Sequence, residues 1–178
     1  MKELSLNVLD IAQNSIKAGA ERVDILLEQA GERLTITIAD DGCGMSEEFL
    51  RSVTDPFTTT RTTRKVGMGI PLFKLAAEQT GGTLVIRSKQ ASADSPEHGT
   101  TVTASFDVGH VDCAPLGDMA STVVTLLQGN PGLHLSYTFV KDGDEKRLST
   151  DEMRRMLGDE VPLNAPEVLS WVKDFINE

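Results

Sequence analysis

Cysteine is scarce in this sequence, and long hydrophobic runs are absent. The chain has 178 residues and two cysteines, Cys43 and Cys113, which are too few for a disulfide framework. Neither cysteine belongs to a C-x-x-C or Cys/His spacing that would bind a metal. No stretch of about 18 apolar residues is available to span a membrane, and the N-terminus lacks the charged-then-apolar pattern of a signal peptide. These absences predict a cytoplasmic protein with reduced thiols and no membrane contact.

Positive charge is also in short supply. Lysine and arginine number 17 against 27 aspartates and glutamates, so the formal net charge is −10 at pH 7. This negative charge argues against nonspecific binding to nucleic acid or to an anionic membrane, although a local basic patch could still bind a phosphate. The hydrophobic fraction of 39% is enough for one substantial core, or for a core with an appendage.

The spacing of apolar residues predicts a chain of mixed helices and strands. We expect helices over residues 3–18, 46–53, 70–79, 115–128, 149–157 and 165–176. We expect strands over residues 22–28, 33–39, 83–88, 100–108 and 133–140. Residues 54–66, which are rich in hydroxyls and carry three cations, predict a mobile loop, and residues 141–144 predict a turn.

The strand predicted over residues 33–39 leads directly into Asp40-Asp41-Gly42-Cys43-Gly44. Asp40 can accept a hydrogen bond from an exocyclic amine such as that of adenine. Gly42 and Gly44 allow a positive φ and let a ligand approach the backbone without a Cβ in the way. Aspartate and glycine also dominate ordinary turns, so this stretch alone leaves both interpretations open.

Polar side chains form a stripe on the first predicted helix. Asn7, Asp10, Asn14 and Lys17 are three or four residues apart and therefore share one helix face. A solvated face is the usual meaning of such a stripe. Asparagine is a poor helix former, however, so Asn14 in mid-helix indicates a specific role.

A second glycine-rich segment, Gly67-Met68-Gly69, precedes the helix predicted over residues 70–79. Free backbone N–H groups and the positive end of the helix dipole make such a junction suitable for binding an anion. A single G-x-G is weak on its own. The G-x-G gains weight because it follows the amide-bearing helix and the Asp40 loop in the chain.

Taken in order, these segments resemble the GHKL ATPases, the superfamily of gyrase, the ninety-kilodalton heat-shock chaperone, histidine kinases and the mismatch-repair protein MutL. Residues 10–20 are similar to the N box, and residues 40–45 to the first glycine box. Residues 55–60 resemble the F box of the kinases, and residues 67–72 match the second glycine box. The resemblance covers residues 3–108. It implies an α/β sandwich of the Bergerat type, with a mixed sheet and helices on one face.

The resemblance also implies roles for individual residues. Asn14 is similar to the Mg²⁺ ligand of the family, and Lys17 matches a position close to the triphosphate. Asp40 resembles the carboxylate that recognises adenine. Gly42 and Gly44 would give room for the base.

Further residues follow from the later boxes. Gly67 and Gly69 would bring backbone N–H groups to the phosphates, and Thr100 resembles the hydroxyl that supports the adenine site. Lys65, together with two arginines of the same loop, lies where a lid residue could contact a phosphate. ATP and Mg²⁺ are therefore the expected cofactors.

Asp10 departs from the histidine-kinase pattern. Four residues before the N-box asparagine, the hydrolysing and serine-kinase branches usually carry glutamate as the general base, whereas histidine kinases usually carry asparagine. A carboxylate here could orient or deprotonate a water or a hydroxyl. Aspartate is one methylene shorter, and a helix-face ion pair with Lys17 or Lys89 is an equally good interpretation of Asp10.

The sequence thus predicts an ATP-binding domain over residues 1–109 and a C-terminal α/β appendage over residues 110–178 that packs on it. Too few residues precede the N box to hold a phosphoacceptor helix pair, and no role is assigned to His98, His110 or His134, so a complete sensor kinase is not expected. Two functions remain open. One is an ATPase or protein kinase that acts with a protein partner, and the other is a nucleotide-gated binding module without catalysis.

Overall fold

The computed structural model describes residues 3–53, 69–92 and 97–178. Within these ranges the strands are β1 (Arg22–Ala30), β2 (Arg33–Asp40), β3 (Leu84–Lys89), β4 (Gly99–Asp107), β5 (His134–Lys141) and β6 (Asp144–Ser149). The helices are α1 (Leu4–Lys17), α2 (Glu47–Val53), α3 (Gly69–Glu78), α4 (Met119–Gly129), α5 (Thr150–Leu157) and α6 (Pro166–Asn177). The loop predicted over residues 54–66 lies outside the described residues, as do Lys65 and Gly67.

The six strands form one mixed sheet in the order β3-β4-β2-β1-β5-β6. All neighbouring pairs are antiparallel except β1 and β5, which run parallel. In β1, Val23, Ile25 and Leu27 are buried and alternate with the half-buried Asp24 and Leu26. The same alternation in β2 and β4 gives the sheet one buried face, since successive side chains of a strand point to opposite sides.

Helices cover the buried face of the sheet. Buried side chains from α1, α3, α4, α5 and α6 join those of the strands in a single hydrophobic cluster. This arrangement confirms the predicted fold class, an α/β sandwich built on a mixed sheet. Among the helices of the described ranges, none is long and apolar enough to cross a membrane.

Residues after 109 continue the sheet. β5 pairs with β1 along almost its whole length, from Arg22 opposite His134 to Gln29 opposite Lys141. The hydrophobic cluster likewise runs without interruption from the first helix to Val172. The division of the chain at residue 109 stays a prediction.

Strand β6 is missing from the sequence-based prediction. Its residues Glu145, Lys146 and Arg147 are charged and show no apolar alternation, because β6 is an edge strand on which Glu145 and Arg147 face solvent and Lys146 binds carbonyls at the end of α6. The available signal was the dipeptide Asp142-Gly143. Both residues have positive φ, +49° and +94°, and they form the two-residue connection of a tight hairpin.

The start of α4 is also later than predicted. Residues 115–118 precede the helix, and the carbonyls of Pro115 and Leu116 accept hydrogen bonds from the backbone N–H groups of Leu4 and Ser5. They thereby satisfy donors that the first turn of α1 leaves without helical partners. Asp118 then caps α4 by accepting from the Ser121 N–H at 2.9 Å.

An ionic cluster centred on Asp151 fastens α5 to the sheet. Its carboxylate accepts hydrogen bonds from His134 Nδ1 at 2.6 Å and from the Arg22 guanidinium at 3.0 Å, and Arg154 lies 3.5 Å away. The hydrogen bond from His134, followed by that from Arg22, lowers the pKa of Asp151 to about 2. The ionised carboxylate therefore favours the folded state.

Replacing this carboxylate tests the cluster. Because the pKa of Asp151 is depressed, its contribution is present above the ordinary value of 3.8 and is lost as pH falls through about 2. We expect Asp151→Asn to lower the melting temperature at pH 7 by on the order of 2–4 °C, a small effect because the pair is solvent-screened. The difference should disappear near pH 2. Thermal melts across this range check it, with the exposed Asp159→Asn as control; a constant difference at all pH values would contradict the assignment.

Asn7 is an exception in the apolar interior. Its side chain on α1 has no exposed surface. In the described part of the chain, neither its Oδ1 nor its Nδ2 has a hydrogen-bond partner. A buried amide without a partner carries a desolvation cost of about 1–3 kcal/mol. Asn7 therefore destabilises the protein in this state, on the same helix face that carries Asp10 and Asn14.

Removing this amide should stabilise the fold. Leucine has nearly the shape of asparagine, so Asn7→Leu should raise the free energy of unfolding by about 1 kcal/mol or more. Urea unfolding without added ligands measures this. The control is Gln13→Leu, an exposed position on the same helix, where a change within about 0.5 kcal/mol is expected. A loss of stability in Asn7→Leu would show that the amide is satisfied in solution.

Candidate functional site

A pocket of about 280 Å³ opens between α1, the loop that follows β2, α2, the start of α3 and the start of β4. Four of the predicted site residues line it, namely Asn14, Asp40, Gly44 and Thr100. Apolar side chains supply much of the remaining wall, among them Ile11, Phe49, Val53, Ile70 and Val102. The pocket therefore combines an apolar wall with a few polar groups, which is typical of small-molecule sites.

Asp40 is held by two hydrogen bonds at the end of β2. Ser15 Oγ on α1 donates to Oδ2 at 2.6 Å, and the Gly42 backbone N–H donates to Oδ1 at 2.8 Å. A carboxylate has about four acceptor positions, so both oxygens keep capacity for a ligand. The carboxylate is thus fixed in orientation and still able to accept a hydrogen bond from a bound amine.

The sheet places Asp40 in a row of polar residues that crosses three strands. Asp40 of β2 is paired with Thr100 of β4, and Thr100 is paired with Ser88 of β3. The hydroxyls of Ser88 and Thr100 are 2.8 Å apart. The backbone N–H of Met45 donates to Ser88 Oγ at 2.8 Å, so the row also holds the loop that borders the pocket.

The loop after Asp40 is anchored on both sides. Asp41 accepts hydrogen bonds from the backbone N–H groups of Glu21 at 2.8 Å and Arg22 at 2.9 Å. Desolvation alone would raise the pKa of Asp41, but these hydrogen bonds outweigh it and the pKa is lowered. On the other side, the Ala91 N–H donates to the Cys43 carbonyl at 2.8 Å. These contacts fix the loop independently of any ligand.

Gly44 cannot be replaced without moving this loop. Its φ is +75°, and a Cβ built there would lie 2.0 Å from the Lys89 carbonyl oxygen. A Cβ at Gly42 would lie 3.1 Å from Asp40 Oδ1. Both glycines of the D-x-G-x-G segment therefore allow neighbouring protein atoms to pack closely against the loop backbone, in addition to any room that they give a ligand.

Gly69 brings the start of α3 against the polar stripe of α1. A Cβ at Gly69 would be 3.4 Å from the Asp10 Cβ and 3.5 Å from Asn14 Nδ2. The N–H groups of the first turn of α3 therefore lie beside Asp10 and Asn14, where they can contribute to an anion site. Gly69 does not itself line the pocket in the described part of the chain.

Asp10 and Lys17 lie at the margin of the site. Both are exposed, and neither is among the described residues that line the pocket. Desolvation by surrounding atoms raises the pKa of Asp10 above the ordinary value of 3.8. Within the described part of the chain, Asp10 forms no ion pair with Lys17 or Lys89, the alternative that the sequence left open.

Three residues at the site had no predicted role. Ser15 follows Asn14 directly on α1, and its hydroxyl orients Asp40. Ser88 supports Thr100, and strand register was the signal that could have found it. The ring of His98 donates from Nδ1 to the Gly42 carbonyl at 2.5 Å, which adds another tie to the Asp40 loop.

Comparison with known proteins finds relatives over part of this chain. The sensor histidine kinase CitA of Klebsiella pneumoniae is 29% identical to this chain over 85 residues, which is 46% of this chain and 16% of that protein. The DNA mismatch repair protein MutL of Rickettsia felis is 32% identical over 92 residues, which is 49% of this chain and 15% of that protein. This chain thus matches only about a sixth of the length of these relatives.

A solved structure shares the fold over a longer stretch. The N-terminal domain of a DNA repair protein superposes with a TM-score of 0.61 and 15% identity, covering 84% of this chain and 53% of that one. At this identity the likeness establishes the fold alone. The family model described as "Histidine kinase-, DNA gyrase B-, and HSP90-like ATPase" matches residues 2–110, more than half of the chain. The chain therefore belongs to the family of histidine kinase-, DNA gyrase B- and HSP90-like ATPases.

Proposed function

We propose that this chain binds Mg-ATP and catalyses phosphoryl transfer, as an ATPase or a protein kinase that acts with a protein partner. The observation that carries the proposal is the fixed carboxylate of Asp40 in a pocket with apolar walls. Ser15 and the Gly42 N–H hold it in place while its oxygens keep acceptor capacity. The exocyclic amine of adenine is a donor that this arrangement suits.

The part of the pocket around Asn14 suits phosphates and a magnesium ion. Asn14 lines the pocket beside Gly69, and its amide oxygen is a hard ligand of the kind that Mg²⁺ prefers. The first turn of α3 supplies backbone N–H groups at the same place. Asn14 would hold the ion together with phosphate oxygens of the nucleotide, and the ion would supply charge neutralisation at the phosphates.

Asp10 is the candidate general base. It stands one helical turn from Asn14, and its raised pKa makes it a better proton acceptor than an ordinary aspartate. It would take the proton from a water or a hydroxyl that attacks the terminal phosphorus, while the bond to the bridging β-phosphate oxygen breaks and ADP leaves. Of the two relatives compared above, one is named a histidine kinase and the other a mismatch-repair protein, so the acceptor stays open between water and a protein side chain. The net charge of −10 favours a protein partner over nucleic acid.

One observation favours a second candidate, a nucleotide-gated binding module without catalysis. Asp10 is exposed and is not one of the described pocket residues. A carboxylate that cannot reach the terminal phosphate would leave the site able to bind ATP without using it. Nucleotide would then act only through the conformation of the protein.

Adenine recognition is tested by Asp40→Asn. The amide presents donors where the site offers a carboxylate, so a buried mismatch of about 1–3 kcal/mol should weaken ATP binding by roughly 5- to 150-fold. The preference for ATP over GTP should fall as well. Calorimetric titration with both nucleotides measures this. The matched control is Asp41→Asn, whose carboxylate binds Glu21 and Arg22 outside the pocket and whose loss should leave the preference intact. An unchanged preference in Asp40→Asn would mean that Asp40 does not recognise the base.

The choice between catalysis and binding is tested by Asp10→Asn. The substitution is nearly isosteric and spares the pocket, so nucleotide affinity should persist while turnover falls by on the order of 10²- to 10⁴-fold. Single-turnover phosphate release with enzyme in excess, and affinity determined separately, keep binding and chemistry apart. Asn14→Ala is the control that should lose magnesium-dependent affinity. Equal turnover in Asp10→Asn and wild type, above the rate without enzyme, would contradict the role of Asp10 as general base. If the wild type shows no turnover with its partner present, the binding module is favoured.

A further inference from the structure

An apolar groove lies far along the chain from the nucleotide pocket, between α5 and α6. It has a volume of about 400 Å³ and is lined by Met153, Met156 and Leu157 of α5, by Val161, and by Val168 and Trp171 of α6. Met153 and Val168 form the buried floor, whereas Met156 is 83% and Trp171 51% exposed. The groove belongs to residues beyond 2–110, the segment that the ATPase family model matches.

The groove has a regular helical construction. Met153, Met156 and Leu157 are spaced three and four residues apart, so they form one stripe on α5. Trp171 extends the opposite wall and stacks on Phe175 at a ring distance of 5.2 Å. α6 has 12 residues, and the residues of α6 that line the groove, Glu167, Val168 and Trp171, belong to its first half. A hydrophobic groove of this kind can bind the apolar face of an amphipathic helix.

Acidic residues mark the margin of the groove. Glu167 lines it, and Asp159 and Glu160 are exposed in the connection that carries Val161. Asp174 is three residues after Trp171 and so lies on the same stripe of α6 as Glu167. These carboxylates leave an apolar floor with a negatively charged border.

The nearby cations point elsewhere or are already engaged. Arg154 donates to the carbonyls of Pro131 and Leu133 and contacts Asp151. Lys146 donates to the carbonyls of Phe175 and Glu178 at the end of α6.

Two cations remain, Arg155 on α5 and Lys173 on α6. Arg155 is two residues after Met153, and Lys173 is two residues after Trp171, which places each on the side of its helix away from the groove. Lys173 instead interacts with Asp118 at the start of α4. The border of the groove is therefore acidic without a compensating cation from these helices.

We propose that this groove binds an amphipathic helix of another protein, with aliphatic residues on one face and lysine or arginine along its flanks. The apolar floor supplies burial for the aliphatic face, and the acidic border attracts the basic flanks. A second copy of this chain is a poorer occupant because it would bring two acidic borders together. The groove requires no nucleotide, so this inference stands apart from the proposed function.

Binding in the groove can be followed by the fluorescence of Trp171, because Trp171 is the single tryptophan of the chain. The probe is a synthetic 14-residue amphipathic helix with leucine on one face and lysine on the other. Its binding should shift the Trp171 emission to shorter wavelength, and the affinity should fall as salt is raised. A peptide with glutamate in place of every lysine should bind at least tenfold more weakly. The Asp40→Asn protein should bind the probe like wild type, which separates this surface from the nucleotide site.

The location is tested with a matched pair of variants. Met156→Gln should weaken the lysine peptide about fivefold or more, because it removes an apolar contact from the groove. Val111→Gln changes an apolar residue that is 91% exposed outside the groove and should have no effect. Equal weakening by both variants, equal binding of both peptides or no binding of the lysine peptide would overturn the proposal. So would self-association by sedimentation that Met156→Gln abolishes, since the groove would then serve a second copy.

Discussion

The hydrogen bond between Ser15 and Asp40 is the contact on which the candidate site depends. It joins α1, which carries Asn14 and Asp10, to the end of β2, which carries the carboxylate. The bond is short, 2.6 Å, as expected when a hydroxyl donates to an ionised acceptor. Asp40 is also bound to the Gly42 N–H and is paired with Thr100 in the sheet. This one residue therefore connects α1, the loop after β2 and the sheet. The distance between the polar groups of the pocket is thereby set before any ligand arrives.

The two surfaces proposed for binding are connected through Arg22. Its backbone N–H holds Asp41 in the loop that borders the candidate pocket, and its guanidinium binds Asp151 in the first turn of α5. α5 in turn supplies one wall of the apolar groove. This connection consists of structural contacts. Energetic coupling between the two surfaces would also require that binding at each of them shifts the same equilibrium between two conformations. The parallel pairing of β1 with β5 also holds Arg22 in place relative to the strand that precedes β6 and α5.

Sequence patterns predicted the elements that have strong apolar periodicity or glycine-rich boundaries. The alternation of β2 and the glycines around Cys43 located the loop, and the sheet brings Asp40 and Thr100 together as neighbours. What the patterns missed depends on tertiary contacts. β6 carries charges because it is an edge strand, and the first residues assigned to α4 instead bind the N-terminus of α1. Ser15 and Ser88 act through partners 25 and 12 residues away, which no local pattern contains.

The central claim is that Asp40 recognises the amine of adenine, and the unmodified protein can test it directly. Inosine diphosphate differs from ADP at the base in that a carbonyl oxygen replaces the exocyclic amine and N1 carries a hydrogen. Against the fixed carboxylate, that oxygen leaves two acceptors facing each other, a mismatch of about 1–3 kcal/mol. Titration of the wild type should therefore show ADP binding roughly 5- to 150-fold more tightly than inosine diphosphate in the same magnesium buffer. Equal affinities for the two nucleotides would contradict the account.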